Sequence, residues 1–150
     1  AWRMAGVGTY VCLTVNHRVK LWQGRDKEDW LHRARAMREL GIRIIAGTDA
    51  GIRHVAHDQF IGALEAMREL GMTNEEILVS ATSLAAEACG IGEAVGSLVA
   101  GKRADMLVVS GNPLDRLEDL RRLERIVKNG KDMLPELDDG FTALPLFLHN

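Results

Sequence analysis

Cysteine is scarce in this chain, and the two present, Cys12 and Cys89, stand in apolar surroundings with no CxxC or other paired spacing. That argues against a disulfide framework and against a zinc knuckle, and it leaves two reduced core thiols and a cytoplasmic setting as the expectation. Dense basic blocks are missing too: 19 Lys and Arg nearly cancel 21 Asp and Glu. Nucleic acid is therefore not an expected partner. No apolar run is long enough to span a bilayer, so no membrane partner is expected either. The start, Ala1-Trp2-Arg3-Met4, has neither an apolar signal core nor a methionine at position 1, and it reads as the inside of a longer chain.

What is present suits one ordinary domain. The 150 residues are 47% apolar, and a chain of this length buries about two-thirds of its unfolded surface. The stretch that organises the rest is Ile42-Arg43-Ile44-Ile45-Ala46-Gly47-Thr48-Asp49-Ala50-Gly51. Its near-continuous apolar run is the pattern of a strand covered on both faces by helices, and helical patterns flank it. In such sheets functional groups collect where strands end, which makes Asp49 a catalytic or ligand candidate. Gly47 and Gly51 leave the backbone around it unobstructed, and Thr48 is placed to orient its carboxylate. The same residues also fit a plain turn or helix cap, and at this point both readings stand.

The rest of the chain supports strand and helix in alternation. Residues 9–15 are β-branched and apolar and predict a buried strand with Asn16 and His17 at its tip. Trp30, Ala34, Met37 and Leu40 make a helical stripe stopped by Gly41, and Phe60, Leu64, Met67 and Leu70 make another stopped by Gly71. The two share a tail, Ala-Met-Arg-Glu-Leu-Gly, ending at Gly41 and again at Gly71. That repeat is consistent with successive units of a parallel βα array. Thr73-Asn74-Glu75-Glu76 is a capping box opening a helix that runs to Cys89 and is closed by Gly90.

After Gly90 the texture changes, and a domain boundary is expected there. Residues 104–109 predict a strand, Leu117, Leu120 and Leu123 one short helical turn, and Asn129-Gly130 a type I′ hairpin between residues 125–128 and 131–134. Residues 135–150 show no period and stay unassigned.

Three segments together resemble the amidohydrolase superfamily, especially its imidazolonepropionase-like and Xaa-Pro dipeptidase-like members. Gly47-Thr48-Asp49-Ala50-Gly51 resembles the tip of the eighth barrel strand. The segment from Gly96-Ser97-Leu98 to Val108-Val109 resembles the return into the small β-domain, and Ile126-Val127-Lys128-Asn129-Gly130-Lys131 resembles its closing hairpin. The alanine-rich helix after Thr73 sits where the family places the helix before that return. The resemblance covers most of this chain but only the C-terminal part of a family member.

It implies an α/β fold: the last βα units of a TIM-type (β/α)8 barrel over residues 1–90, followed by strands of a small β-sandwich domain over residues 91–134. It implies hydrolysis of a C–N bond in an amide, cyclic amide or dipeptide by metal-activated water, with one or two divalent ions, zinc foremost. Asp49 would be both metal ligand and proton shuttle. His54 and His57 follow Asp49 closely and would contact substrate or support the metal, set against the alternative of two solvated histidines on one side of a helix start. His17 is weighed in the same way, and His32 falls on the polar side of its helix. Asp105, with Lys102 and Arg103 before it, reads as structural.

The sequence also departs from the family. The family's other ligands, an HxH pair, a carboxylated lysine or acid, and two further histidines, come from earlier strands. Here no two of His17, His32, His54, His57 and His149 form HxH. Catalytic metals take three or more protein ligands, so the segment alone is expected to be inactive. It is expected to need a missing N-terminal chain or further copies of itself. The competing class is a non-catalytic α/β binding or oligomerisation module in which Asp49 is a turn residue.

Overall fold

The computed structural model describes residues 7–133. The first four residues, His149 and the unassigned stretch 135–150 lie outside them. Two parallel strands, β1 (Tyr10–Cys12) and β2 (Arg43–Ile45), pair with Val11 opposite Ile44. Between them runs the longest helix among the described residues, α1 (Arg25–Glu39). A parallel pair joined through a helix is the βαβ unit that the apolar runs and helical stripe predict. Ile44 faces the core at 4% exposure, while Arg43 stacks on the Tyr10 ring at 3.9 Å and donates to its hydroxyl at 2.7 Å.

Helix α1 has Asp26 and Glu28 in its first turn and Arg38 in its last, charges that suit the helix dipole at each end. It buries Ala34, with Trp30 and Leu31 against the core. Helix α2 (Phe60–Ala66) tightens into a 3-10 turn at Met67–Leu70. Both copies of the repeated tail end in a left-handed glycine, Gly41 at φ 73° and Gly71 at φ 78°, a conformation other residues enter only at a cost. In each copy the arginine also reaches forward to a glutamate: Arg38 to Glu76 at 2.8 Å and Arg68 to Glu118 at 2.7 Å.

The capping box forms as expected, with Thr73 Oγ1 accepting from the Glu76 amide at 3.2 Å and Glu76 Oε2 accepting from the Thr73 amide at 2.8 Å. The helix it opens does not run unbroken to Cys89. It divides into α3 (Asn74–Ala81) and α4 (Ser83–Ala88) around Thr82. The reason lies in competing hydrogen bonds. The Ser80 carbonyl, which a continuous helix would use internally, accepts from Ala46 N–H at the end of β2, at 3.1 Å. The Ser80 and Thr82 hydroxyls donate back to the Ile77 and Leu78 carbonyls at 2.6 and 2.7 Å.

Beyond Gly90 lies an antiparallel sheet in the order β3 (Met106–Val109), β4 (Leu123–Lys128), β5 (Lys131–Asp132). Asn129 at φ 51° and Gly130 at φ 78° make the expected type I′ turn. Asp105 clamps it, accepting from Lys128 Nζ at 2.6 Å and from the Asn129 amide at 2.7 Å. The Lys128 ammonium, followed by the Asn129 amide, holds the Asp105 carboxyl below its usual range. The expected short helical turn is the 3-10 segment Leu117–Arg121, and Leu123 begins β4 rather than continuing it.

The core gathers Ile44 of β2 with Leu64, Met67, Leu70 and Ile77, and it takes in Leu117 from beyond Gly90. Met67, Leu70, Ile77 and Leu117 are fully buried. Side chains of this size contribute about 1.5–3 kcal/mol each when buried. Polar ties reinforce the same junction: Arg121 to Glu65 at 2.8 Å, and Asn74 Nδ2 to the Leu114 carbonyl at 2.9 Å. The cysteines correct one expectation. Both are free, but Cys12 and Cys89 are exposed and not core thiols.

Candidate active site

Strands β1 and β2 are parallel, so the loops that leave their C-terminal ends share one rim of the described structure. Non-glycine residues in the left-handed region concentrate there. Thr14 at φ 50°, Asp49 at φ 56° and His54 at φ 66° lie in these loops, and Asn129 in the hairpin is the other such residue described. Strained backbone of this kind persists where surrounding structure holds it, and aspartate is among the residues that tolerate it best.

Asp49 stands four residues beyond β2 and is exposed. Its carbonyl accepts from Ile52 N–H at 3.5 Å. Thr48 does not orient the carboxylate through its hydroxyl; Thr48 Oγ1 accepts from Ala50 N–H at 3.2 Å and shapes the turn. Gly47 is needed for space: a Cβ there would overlap Cys12 Sγ on the neighbouring strand. The two strand ends therefore meet at a glycine and a thiol, two residues before the acid.

The next residues close two hydrogen-bonded rings. In the first, Gly51 N–H donates to the Val55 carbonyl at 2.9 Å and Val55 N–H to the Ile52 carbonyl at 3.0 Å. In the second, Ala56 N–H donates to Gln59 Oε1 at 3.0 Å and Gln59 N–H to the Ala56 carbonyl at 3.2 Å. Val55, between them, is 3% exposed. His54 belongs to the first ring and His57 to the second, and both side chains are exposed. The two histidines thus do not share a helix start: His54 sits in the turn before, and His57 opens the 3-10 segment His57–Gln59. They do line one cavity of about 510 Å³ with Gly51, Ile52 and Gln59. His57 Cε1 lies 3.7 Å from where a Gly51 Cβ would stand, so the imidazole folds back toward the Asp49 segment.

The other candidates lie on other segments. His17 begins the 3-10 segment His17–Leu21 past the end of β1, capped by Asn16 Oδ1, which accepts from Arg18 N–H at 3.1 Å. His32 is exposed on α1, as its polar position predicts. Among the described residues no three His, Cys, Asp or Glu side chains are grouped to hold a metal ion. The residues present therefore do not by themselves make a metal centre; Asp49 is one donor where three or more are needed. Also among the described residues, no helix is long and apolar enough to cross a membrane.

Sequence reasoning missed Gln59 and Val55, which close and anchor the two rings. A signal existed for Gln59. A glutamine three residues after Ala56 is the returning half of a capping box, the half that needs no hydroxyl at the first position.

Comparison with known proteins sets these elements in a larger frame. Residues 8–134 match the amidohydrolase family. An imidazolonepropionase from Syntrophobacter fumaroxidans is 40% identical over 80 residues, 52% of this chain and 19% of that protein. One from Bacillus velezensis is 33% identical over 107 residues, 68% of this chain and 25% of that protein. Among solved structures, an Xaa-Pro dipeptidase with bound methionine in its active site superposes with a TM-score of 0.71 at 26% identity, covering 86% of this chain and 35% of that one. The chain thus spans about a fifth to a quarter of the length of these curated relatives. Its described elements form a partial segment of a TIM-barrel-type fold. On the extent of the family match, the chain belongs to the amidohydrolase family.

Proposed function

We propose that this chain is the C-terminal part of a metal-dependent hydrolase that cleaves a C–N bond in an amide, cyclic amide or dipeptide. The observation that carries the reading is the placement of Asp49, an exposed carboxylate past the end of a parallel strand and two residues before Gly51, which lines a cavity together with two histidines. Residues 1–90 are assigned to the last βα units of the barrel and residues 91–134 to strands of a small β-sandwich domain. The remaining metal ligands are assigned to chain outside this segment, because the described residues offer one.

In this reading Asp49 binds one or two divalent ions, zinc foremost, together with ligands from that further chain. Such an ion would supply water acidified to a pKa of about 7. The protein's own part is proton traffic: the Asp49 carboxylate takes a proton from the attacking water and returns it to the leaving nitrogen. His54 and His57, exposed in the adjoining cavity, contact substrate. The substrate is a small molecule, and a cytoplasmic setting is consistent with two free cysteines.

The open surfaces support a segment that other chain completes. The sheet of β1 and β2 has just these two strands among the described residues, and Leu107, Leu98 and Ile91 are exposed around the later sheet. Strand edges and apolar faces of this extent are covered in working proteins.

The test is hydrolysis by the full-length protein that carries this segment. It is offered an Xaa-Pro dipeptide, imidazolone propionate and an aryl amide, before and after removal of divalent ions by a chelator. Turnover of at least one, lost on chelation and restored by zinc, is expected. Failure on all three, or turnover indifferent to the chelator, would overturn the reading.

A further inference from the structure

We infer that Gln59 is a positioning residue for substrate recognition, acting through His57. The inference rests on the proposed contact of His54 and His57 with substrate and adds the device that sets where the imidazole stands. His57 is held inside the four-residue ring that Gln59 closes twice, once through its side chain and once through its backbone N–H. One end of that ring follows directly on Val55, which is buried, and the other runs into α2 at Phe60. With both ends fixed, the His57 ring rests against the open face of Gly51, two residues after Asp49.

The side chain of Gln59 is the removable element of this device. Without Oε1, the Ala56 amide loses its partner and the ring is closed by the backbone alone. Glutamate keeps an acceptor at the same reach and should preserve the ring; alanine should not. Gln59 is itself half-buried and lines the cavity next to His57. Its oxygen accepts from the Ala56 amide, and among the described residues its amide nitrogen is not seen to donate. The Gln59→Glu variant separates these roles, because it retains the anchoring acceptor and removes the amide donor.

The experiment has two readouts. Amide hydrogen exchange is measured on the full-length protein with glutamine, alanine or glutamate at position 59. Losing a neutral hydrogen bond is expected to speed exchange at Ala56 about fivefold or more in Gln59→Ala, with protection kept in Gln59→Glu. Kinetics are then measured on methionyl-proline and on imidazolone propionate. For the hydrolysed one, Gln59→Ala should raise KM about fivefold with kcat within about twofold, and Gln59→Glu should restore KM.

Unchanged exchange at Ala56 in Gln59→Ala would overturn the inference. So would faster exchange with an unmoved KM when His57→Ala does raise KM. A KM that rises equally in Gln59→Glu would also overturn it, by making Gln59 a direct contact through its amide. If neither His54→Ala nor His57→Ala moves KM, the substrate reading of the histidines fails first and takes this inference with it.

Discussion

Replacing Gly47 with alanine puts a methyl group where Cys12 Sγ already sits, two residues before the acid on which the proposed chemistry depends. Overpacking of this kind costs about 1–3 kcal/mol. Gly47→Ala is therefore expected to lower the urea midpoint. Adding Cys12→Ala should recover most of the loss, because Cys12 Cβ would stand 3.9 Å from the new methyl, an ordinary contact. A double variant no more stable than Gly47→Ala alone would show that the thiol is not the obstacle. At this scale the sequence singled out Asp49 as a candidate and said little about how it is held. Asp49 stood out because an apolar run ended in an acid between glycines. Its left-handed backbone, the Thr48 bond to Ala50 and the rings beyond it depend on contacts made within the folded loop, which no periodicity encodes. Taken alone, Gly-Thr-Asp fitted both a turn and a ligand, and the folded Asp49 is compatible with both, since its backbone shapes a turn while its carboxylate stays exposed.

Among the elements, the helix start at Thr73 offers the cleanest check on local coding. Thr73→Ala removes the acceptor for the Glu76 amide and is expected to cost about 1 kcal/mol in chemical denaturation. An unchanged midpoint would mean that Arg38, which also binds Glu76, holds the helix start without the cap. The cap, the glycine stops and the Asn129-Gly130 turn were all readable because each satisfies a local backbone requirement with a local side chain. The division at Thr82 was not readable. It arises from the Ser80 carbonyl turning to Ala46 on β2, a partner 34 residues away in the chain. The same limit explains Cys12. A strand forms within the expected residues 9–15, shorter and less buried than expected, at Tyr10–Cys12; the exposure of Cys12 depends on what covers that face, and strand patterning cannot report that.

For the molecule as a whole, Leu117 is the fully buried residue through which the chain beyond Gly90 enters the core of the helices before it. Leu117→Ala is expected to destabilise the fold by about 2–5 kcal/mol, read as a shift of the melting transition that also unfolds α2 and α3. Loss of signal from the later sheet alone, with the helices unaffected, would show that the shared core does not couple them. The Arg68–Glu118 pair spans the same junction and has a pH signature. The Arg68 guanidinium, hydrogen-bonded to Glu118, lowers that carboxyl from 4.5 to about 2. A carboxylate depressed on folding stabilises fully above its unfolded value and loses that contribution as pH falls toward its folded one. Between pH 5 and pH 2.5 the wild type should therefore lose more stability than Glu118→Gln. The difference should be small, because the pair is half exposed to solvent. Parallel slopes in the two proteins would contradict the linkage. The segment by itself, with open strand edges, is expected to self-associate in ultracentrifugation; a monodisperse, cooperatively melting monomer would count against its being completed by other chain.

The Asp49 carboxylate is proposed to carry the proton in C–N bond hydrolysis, and turnover by Asp49→Asn in the full-length protein, alongside its metal content and melting temperature, tests that role. Asparagine also tolerates the left-handed backbone found here, so the fold should survive the change. kcat is expected to fall by roughly 10²–10⁴ while the melting transition stays in place. Turnover kept within about tenfold of wild type, with metal content unchanged, would contradict it and leave Asp49 as a residue of the turn.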